Sequence, residues 1–100
     1  MQKSRGTFSQ RLSAIRRAGR VAVIASLPRN DPSLAARAFA AGAVAVKVHA
    51  GVRHLASGVA FGSLEEERPA IEAIVAEASK HDAFVGIVLG PGDRGRRELE

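Results

Sequence analysis

Three stretches of apolar residues divide the chain, and each is typical of a buried strand. Val21 to Leu27 and Phe84 to Leu89 are continuous runs, apolar except for Ser26 and rich in β-branched residues, as expected of strands covered on both faces of a parallel sheet. Ala43 to His49 is the remaining stretch. Pro28 and Gly90 follow the two continuous runs, and both residue types favour the end of a strand. The pattern therefore predicts three short strands.

Helical periodicity occupies the segments before and between these strands. One apolar stripe with i, i+4 and i+7 spacing precedes the first strand: Phe8, Leu12 and Ile15. This stripe predicts a short helix that Gly19 can end. Asp31 and Pro32 suit the N-cap and the first helical position, so a second helix is predicted over Pro32–Ala41.

The third predicted helix begins with a capping-box sequence, in which Ser63 is the N-cap and Glu66 stands three residues later. Its apolar stripe follows: Ile71, Ile74, Val75 and Ala78. Pro69 disfavours helical geometry at Arg68, which favours a break between the first turn and the main helix. His81 and Asp82 mark the predicted end.

The element order is thus a helix followed by β-α-β-α-β, which predicts an α/β fold with a parallel sheet in a single domain spanning residues 1–100. Residues 1–7 are polar and are expected to be a flexible N-terminus. Residues 93–100 form a charged tail or a helix cut short. Three parallel strands leave unpaired edges, so we expect either a homo-oligomer or a truncated domain that lacks a C-terminal segment.

Composition excludes several classes of protein. Apolar residues make up 46% of the chain and there is no cysteine, so disulfides and cysteine zinc sites are ruled out. No apolar run approaches the roughly 20 residues that span a bilayer. The N-terminus lacks the apolar segment of a signal peptide. We therefore expect a cytoplasmic protein with no membrane contact.

The net charge of +5 is concentrated at one end of the chain. Residues 1–20 carry six basic side chains and no acidic one, whereas residues 21–100 carry nine basic and ten acidic side chains. A basic helix of this kind can contact phosphates of RNA or DNA. No aromatic stacking residues or base-recognition motif accompany it, so nucleic-acid binding is disfavoured against a solvated or subunit-facing helix.

Alternation within the second strand places polar chemistry on one face. In a strand, residues two apart share a face, so Ala45, Lys47 and His49 lie together while Val46 and Val48 point the opposite way. The valines suit packing against helices. Lys47 and His49 are consequently predicted at the open face, near the C-terminal end of the strand.

The short helix before Val21–Ser26, the step Ala40–Ala43 into a strand and the strand end Val46–His49 resemble the opening of a (β/α)8 TIM barrel. The resemblance is to barrels of the ribulose-phosphate-binding kind, which include decarboxylases, epimerases, isomerases and aldolases. Such barrels have about 250 residues and eight strands. The resemblance therefore implies a partial barrel, comparable to the first three βα units.

Ligands of parallel α/β folds bind beyond the C-terminal ends of the strands. Lys47 and His49 are the predicted catalytic residues, Lys47 as a Schiff-base amine, a base or an anion ligand, and His49 as a general acid or base. The candidate substrate-binding residues stand at or after the three strand ends: Ser26, Arg29, Arg53, His54 and Gly90. The long loop Gly51–Ser63 is either a flexible connection or one wall of the site.

No metal site or cofactor is predicted. His49 and His54 are separated by four residues across a strand end and a loop, which is not the helical spacing of a zincin. Asp31 is better explained as an N-cap, and Glu65, Glu66 and Glu67 suit the first turn of a helix.

Two hypotheses of function follow. The first is a partial TIM barrel from an enzyme of the lyase or isomerase type, in which Lys47 and His49 face a small anionic metabolite, either phosphorylated or a keto acid. The alternative is a small non-catalytic α/β assembly or regulatory domain whose basic N-terminal helix contacts a partner or nucleic acid.

Overall fold

The computed structural model describes residues 6–54 and 56–90. Within them the chain forms three helices and three strands in the predicted order. The helices are α1 (Phe8–Arg17), α2 (Pro32–Ala40) and α3 (Leu64–Lys80). The strands are β1 (Ile24–Ser26), β2 (Ala45–Ala50) and β3 (Phe84–Leu89). The predicted α/β class is confirmed.

The strands form one parallel sheet in the order β1-β2-β3. Residue rows cross the sheet in register. Ile24, Ala45 and Phe84 form the first row, and Ser26, Lys47 and Gly86 form the next row on the same face. Rows on this face alternate with rows that face the helices, as the pleat of a strand requires.

The core lies between the sheet and helices α2 and α3. Val46, Val48 and Ile74 are its largest fully buried side chains. Phe39, Ile71 and Leu27 pack around them. The predicted valine face of β2 is therefore the face that packs on helices, and Lys47 is the exposed residue of this central strand.

Helix α1 lies on the opposite face of the sheet, near the N-terminal ends of the strands. Phe8 meets Phe84 edge-on, with ring centroids 5.3 Å apart, and the Arg11 guanidinium lies 5.6 Å from the centre of the Phe84 ring. Thr7 closes a capping box with Gln10, and Gly19 adopts a positive φ of 71° just beyond the helix. The remainder of the predicted N-terminal segment, residues 1–5, and the predicted tail at 93–100 lie outside the described residues.

The predicted first strand is too long. The strand begins at Ile24 instead of Val21, and the exposed fractions of Val21 and Val23 are 87% and 54%. β1 is an edge strand that pairs with β2, and within the described residues no layer covers Val21 and Val23, which precede it. The apolar run is therefore only partly buried by the chain itself.

The expected break in the third helix is also wrong. Helix α3 is continuous from Leu64 to Lys80 and contains Pro69. Ser63 and Glu66 form the predicted capping box at its start, and Ile71, Ile74 and Ala78 bury its inner stripe. Packing of this stripe on the sheet outweighs the local preference of the residue that precedes the proline.

Candidate functional site at the carboxyl end of the sheet

The connection from β2 to α3 folds back on itself as a short antiparallel hairpin. Gly51 N–H donates to Gly62 O at 2.7 Å, and Phe61 N–H donates to Val52 O at 2.9 Å. Arg53 and Ala60 form an antiparallel bridge, and Arg53 Nη1 donates to Gly58 O at 2.8 Å. The described residues of this loop therefore form a hairpin beside the strand ends.

The hairpin places His54 against the end of β1. His54 Nε2 and Ser26 Oγ are 3.2 Å apart, although 28 residues separate them in sequence. On the other side of the ring, Ser57 N–H donates to His54 Nδ1 at 3.2 Å. Ser57 Oγ lies 2.9 Å from the same nitrogen and also donates to the Pro28 carbonyl oxygen at 3.3 Å.

These bonds identify the tautomer of the neutral His54 ring. Because the Ser57 amide donates to Nδ1, that nitrogen carries a lone pair and the ring proton lies on Nε2. Nε2–H then donates to Ser26 Oγ. His54 consequently does not act as a base toward Ser26 in this arrangement, so the pair is not an activated serine nucleophile.

His49 is buried between two rings at the end of β2. Its exposed fraction is 7%, the Phe61 ring stacks on it with centroids 4.9 Å apart, and the His54 ring meets it edge-on at 5.0 Å. Its Nδ1 is enclosed and has no hydrogen-bond partner among the described residues. Burial lowers the pKa of His49, and the neighbouring His54 and Lys47 lower it further. The imidazole is therefore held neutral near pH 7.

A polar network fixes the backbone of His49. The Asn30 side chain donates through Nδ2 to His49 O at 2.7 Å and accepts from His49 N–H through Oδ1 at 3.2 Å. Asn30 Nδ2 also donates to Glu67 Oε1 at 2.8 Å, and Glu67 Oε2 accepts from Gly62 N–H at 3.1 Å. Glu67 thus connects the start of α3 to the hairpin and to the end of β2.

The structure brings four of the predicted site residues to one place: Ser26, Lys47, His49 and His54. Arg53 belongs to the hairpin, where its guanidinium bonds the loop backbone. Arg29 is exposed at the turn before α2, and no contact among the described residues joins it to the cluster.

Gly90 has a packing role at the end of β3. Its N–H donates to Ala50 O at 2.9 Å, so it is not available to a ligand. A Cβ atom at this position would collide with the backbone of Gly51. Only glycine therefore allows β3 and the start of the hairpin to approach so closely.

Residues 6–54 and 56–90 contain no group of three His, Cys, Asp or Glu side chains that could hold a metal ion. None of the helices in these ranges combines the length and apolar character needed to cross a bilayer.

Comparison of the chain with models of protein families, with curated proteins and with solved structures gave no match.

Asn30, Phe61 and Glu67 are parts of the site that sequence reasoning missed. Asn30 stands directly before the predicted N-cap Asp31, and Glu67 has the sequence position of a charge favoured by the helix dipole. Their partners are 19 and 37 residues from Asn30, and no local pattern encodes such contacts. One sequence feature could have indicated a buried contact in this region: Phe61 is an isolated aromatic residue in a glycine-rich loop.

Proposed function

We propose that the carboxyl end of the sheet binds a small anionic metabolite, either a keto acid or a phosphorylated compound, and that the chain forms part of an enzyme of the lyase or isomerase type. The observation that carries this proposal is an exposed Lys47 beside the buried His49. The resemblance to the opening units of a TIM barrel supports the same proposal.

Lys47 supplies the positive charge. It is the exposed residue of an otherwise buried strand, and no carboxylate lies within 4.0 Å of it among the described residues. A lysine without an ion-pair partner on a concave surface attracts an anion, and a charge-assisted hydrogen bond to a carboxylate or phosphate would hold it. Gly86 is the neighbour of Lys47 on β3, and because glycine has no side chain it leaves the Lys47 side chain accessible.

His49 supplies the proton chemistry. Its lowered pKa makes the neutral imidazole available as a base near pH 7. Lyases and isomerases that act on carbonyl compounds remove or add a proton next to the carbonyl carbon, and a nearby cation stabilises the negative charge that develops. His49 can transfer the proton, and Lys47, which lies near it, can stabilise the negative charge. Asn30 and Phe61 position the imidazole.

Binding can be tested by titrating the chain with pyruvate and, separately, with inorganic phosphate, while backbone amide NMR shifts are followed. At least one anion should shift the amides of residues 26, 47–49 and 54. Lys47→Met should weaken that binding about tenfold or more, the loss expected of one charge-assisted bond. Lys80→Met removes the same charge from the far end of α3 and should leave it unchanged. Absence of binding, or equal losses in the two variants, would contradict the proposal.

A borohydride experiment separates the roles open to Lys47. If its amine condenses with the pyruvate carbonyl, water leaves and borohydride reduces the resulting imine to a stable adduct on Lys47. We expect anion binding without such an adduct, because no neighbouring group among the described residues marks Lys47 as a nucleophile. An adduct at Lys47 would replace this role with Schiff-base catalysis.

The exposed C-terminal end of α1 favours a second candidate, a non-catalytic domain that binds a partner or nucleic acid. Arg16, Arg17 and Arg20 are all exposed there, and none forms a salt bridge within the described residues. Changing Arg16 and Arg17 to Gln should abolish binding to a short RNA if this candidate is correct. Binding of an anion that depends on Lys47 and not on these arginines would favour the enzyme.

A further inference from the structure

A second feature lies on the same face of the sheet, below Phe8. It is a pocket of about 320 Å³ between α1 and the sheet. Its lining residues come from α1 and from all three strands: Phe8, Ile24, Ala45, Val46, Lys47, Phe84, Val85 and Gly86. Apart from Lys47, every one of them is apolar.

The pocket exists because small residues alternate with aromatic ones in this region. Ala45 and Gly86, which have small side chains or none, form the bottom of the pocket on the sheet. Phe8 and Phe84 form one side wall, with their rings in edge-to-face contact and centroids 5.3 Å apart. Ile24 is 44% exposed although it lines the pocket. Aromatic and branched aliphatic walls of this kind favour a flat apolar group.

Lys47 connects this pocket to the anion site proposed above. The stem of Lys47 passes beside Gly86, since a Cβ atom on Gly86 would lie 4.0 Å from Lys47 Cγ. The same side chain lines the pocket and is close enough to His49 to lower its pKa. A ligand held by Lys47 therefore lies next to both the apolar cavity and His49.

We propose that the ligand of this site is an amphipathic acid, with a carboxylate or phosphate on Lys47 and an aromatic ring or branched alkyl group in the pocket below Phe8. This inference rests on the proposed anion site and names the substrate class for it. A volume near the lower end of the range for small-molecule sites suits a single ring.

Phenylpyruvate and pyruvate form a matched pair of probes, because they carry the same keto acid and differ in one phenyl ring. Burial of the ring should make phenylpyruvate bind at least about tenfold more tightly. It should also shift the amides of Ile24, Ala45 and Phe84, which pyruvate leaves unchanged. Benzyl alcohol, which has the ring without the acid, should bind at least about tenfold more weakly than phenylpyruvate.

Variants test the two halves of the site separately. Ile24→Ala removes part of one wall of the pocket. It should lower the affinity for phenylpyruvate about three- to tenfold and leave the affinity for pyruvate unchanged. Val23→Ala is the matched control, since Val23 is similarly exposed but lies outside the pocket lining, and it should change neither affinity. Lys47→Met should weaken both acids. A one-dimensional proton spectrum establishes that each variant is folded.

The outcomes separate this inference from the proposed function. Equal affinities for pyruvate and phenylpyruvate, both dependent on Lys47, would overturn the inference and leave the anion site in place. Benzyl alcohol binding as tightly as phenylpyruvate, without effect of Lys47→Met, would overturn it as well. If neither acid binds, the inference fails; if inorganic phosphate does not bind either, the proposed anion site fails with it.

Discussion

His49 joins two properties that are seldom found together, burial and an unpartnered polar atom. Its Nδ1 has no hydrogen-bond partner within the described residues, although most buried polar atoms in proteins have one. The ring is nevertheless held by Phe61 on one face and by Asn30 through the backbone. Protonation of a histidine that is buried at this position lowers the free energy of unfolding, and this loss can be measured.

Acidification should destabilise the fold through His49. Its folded pKa lies below the ordinary value of about 6.5, so the unfolded chain takes up the proton first as the pH falls. Its stabilising contribution is therefore complete above about pH 6.5 and is lost as the pH falls below that value toward the folded pKa. Urea unfolding should give a lower free energy of unfolding at about pH 5.5 than at about pH 7.5.

His49→Leu should flatten this pH dependence, because the group that titrates is gone. His81→Gln, at the exposed end of α3, is the control and should keep the slope of the unmodified chain. Identical slopes in the chain and in His49→Leu would show that other groups are responsible.

The helices α2 and α3 begin where their local sequences predict, whereas their continuation depends on what packs against them. Asp31 and Ser63 cap α2 and α3 as predicted, each accepting a bond from a backbone amide of its first turn. Helix α3 then continues through Pro69, which cannot donate to the carbonyl four residues earlier. Packing of Ile71 and Ile74 on the sheet keeps this helix intact.

Replacement of Pro69 by alanine should therefore stabilise the protein. The new residue restores a backbone donor and removes the clash of the ring with the preceding turn, for a gain of about 1–3 kcal/mol in the free energy of unfolding. Pro32→Ala is a suitable comparison, since Pro32 occupies the first turn of α2, where proline is favourable. It should leave stability unchanged or lower it by less than about 1 kcal/mol. If both variants destabilise equally, Pro69 carries no strain in α3.

At the scale of the whole molecule, the described residues cover one side of the sheet and only part of the other. Helices α2 and α3 cover one face, and α1 covers part of the opposite face around Phe84. Apolar side chains stay exposed on the edge strands and just before β1: Val23, Ile24, Ile87 and Val88 are between 39% and 54% exposed. Such an edge favours association with another chain.

We therefore expect copies of the chain to associate through the edge at β1. Sedimentation velocity should show a mass above that of one chain at about 100 μM, and Val23→Lys should shift the distribution toward the monomer, because a charge on an edge opposes strand pairing. Val75→Lys introduces the same charge at a comparably exposed valine on α3 and should not. A chain that is monomeric at every concentration would contradict this expectation.

The periodicity of the sequence was sufficient to predict the order of elements, the parallel sheet and the faces of β2. These features depend on contacts between near neighbours. Lys47 alternates with Val46 and Val48, and the pleat of a strand separates polar from apolar residues whatever the rest of the chain does. The polar residues of β2 could therefore be assigned to the open face from the sequence.

Only the tertiary structure decided what surrounds those residues. The hairpin carries His54 onto Ser26, and Asn30 reaches Glu67 across the ends of two elements. The position of Phe8 over the first row of the sheet creates the pocket beside Lys47. Contacts between residues 28 and 37 positions apart depend on how the crossovers and the loop close, and closure is a property of the folded chain rather than of any segment of it.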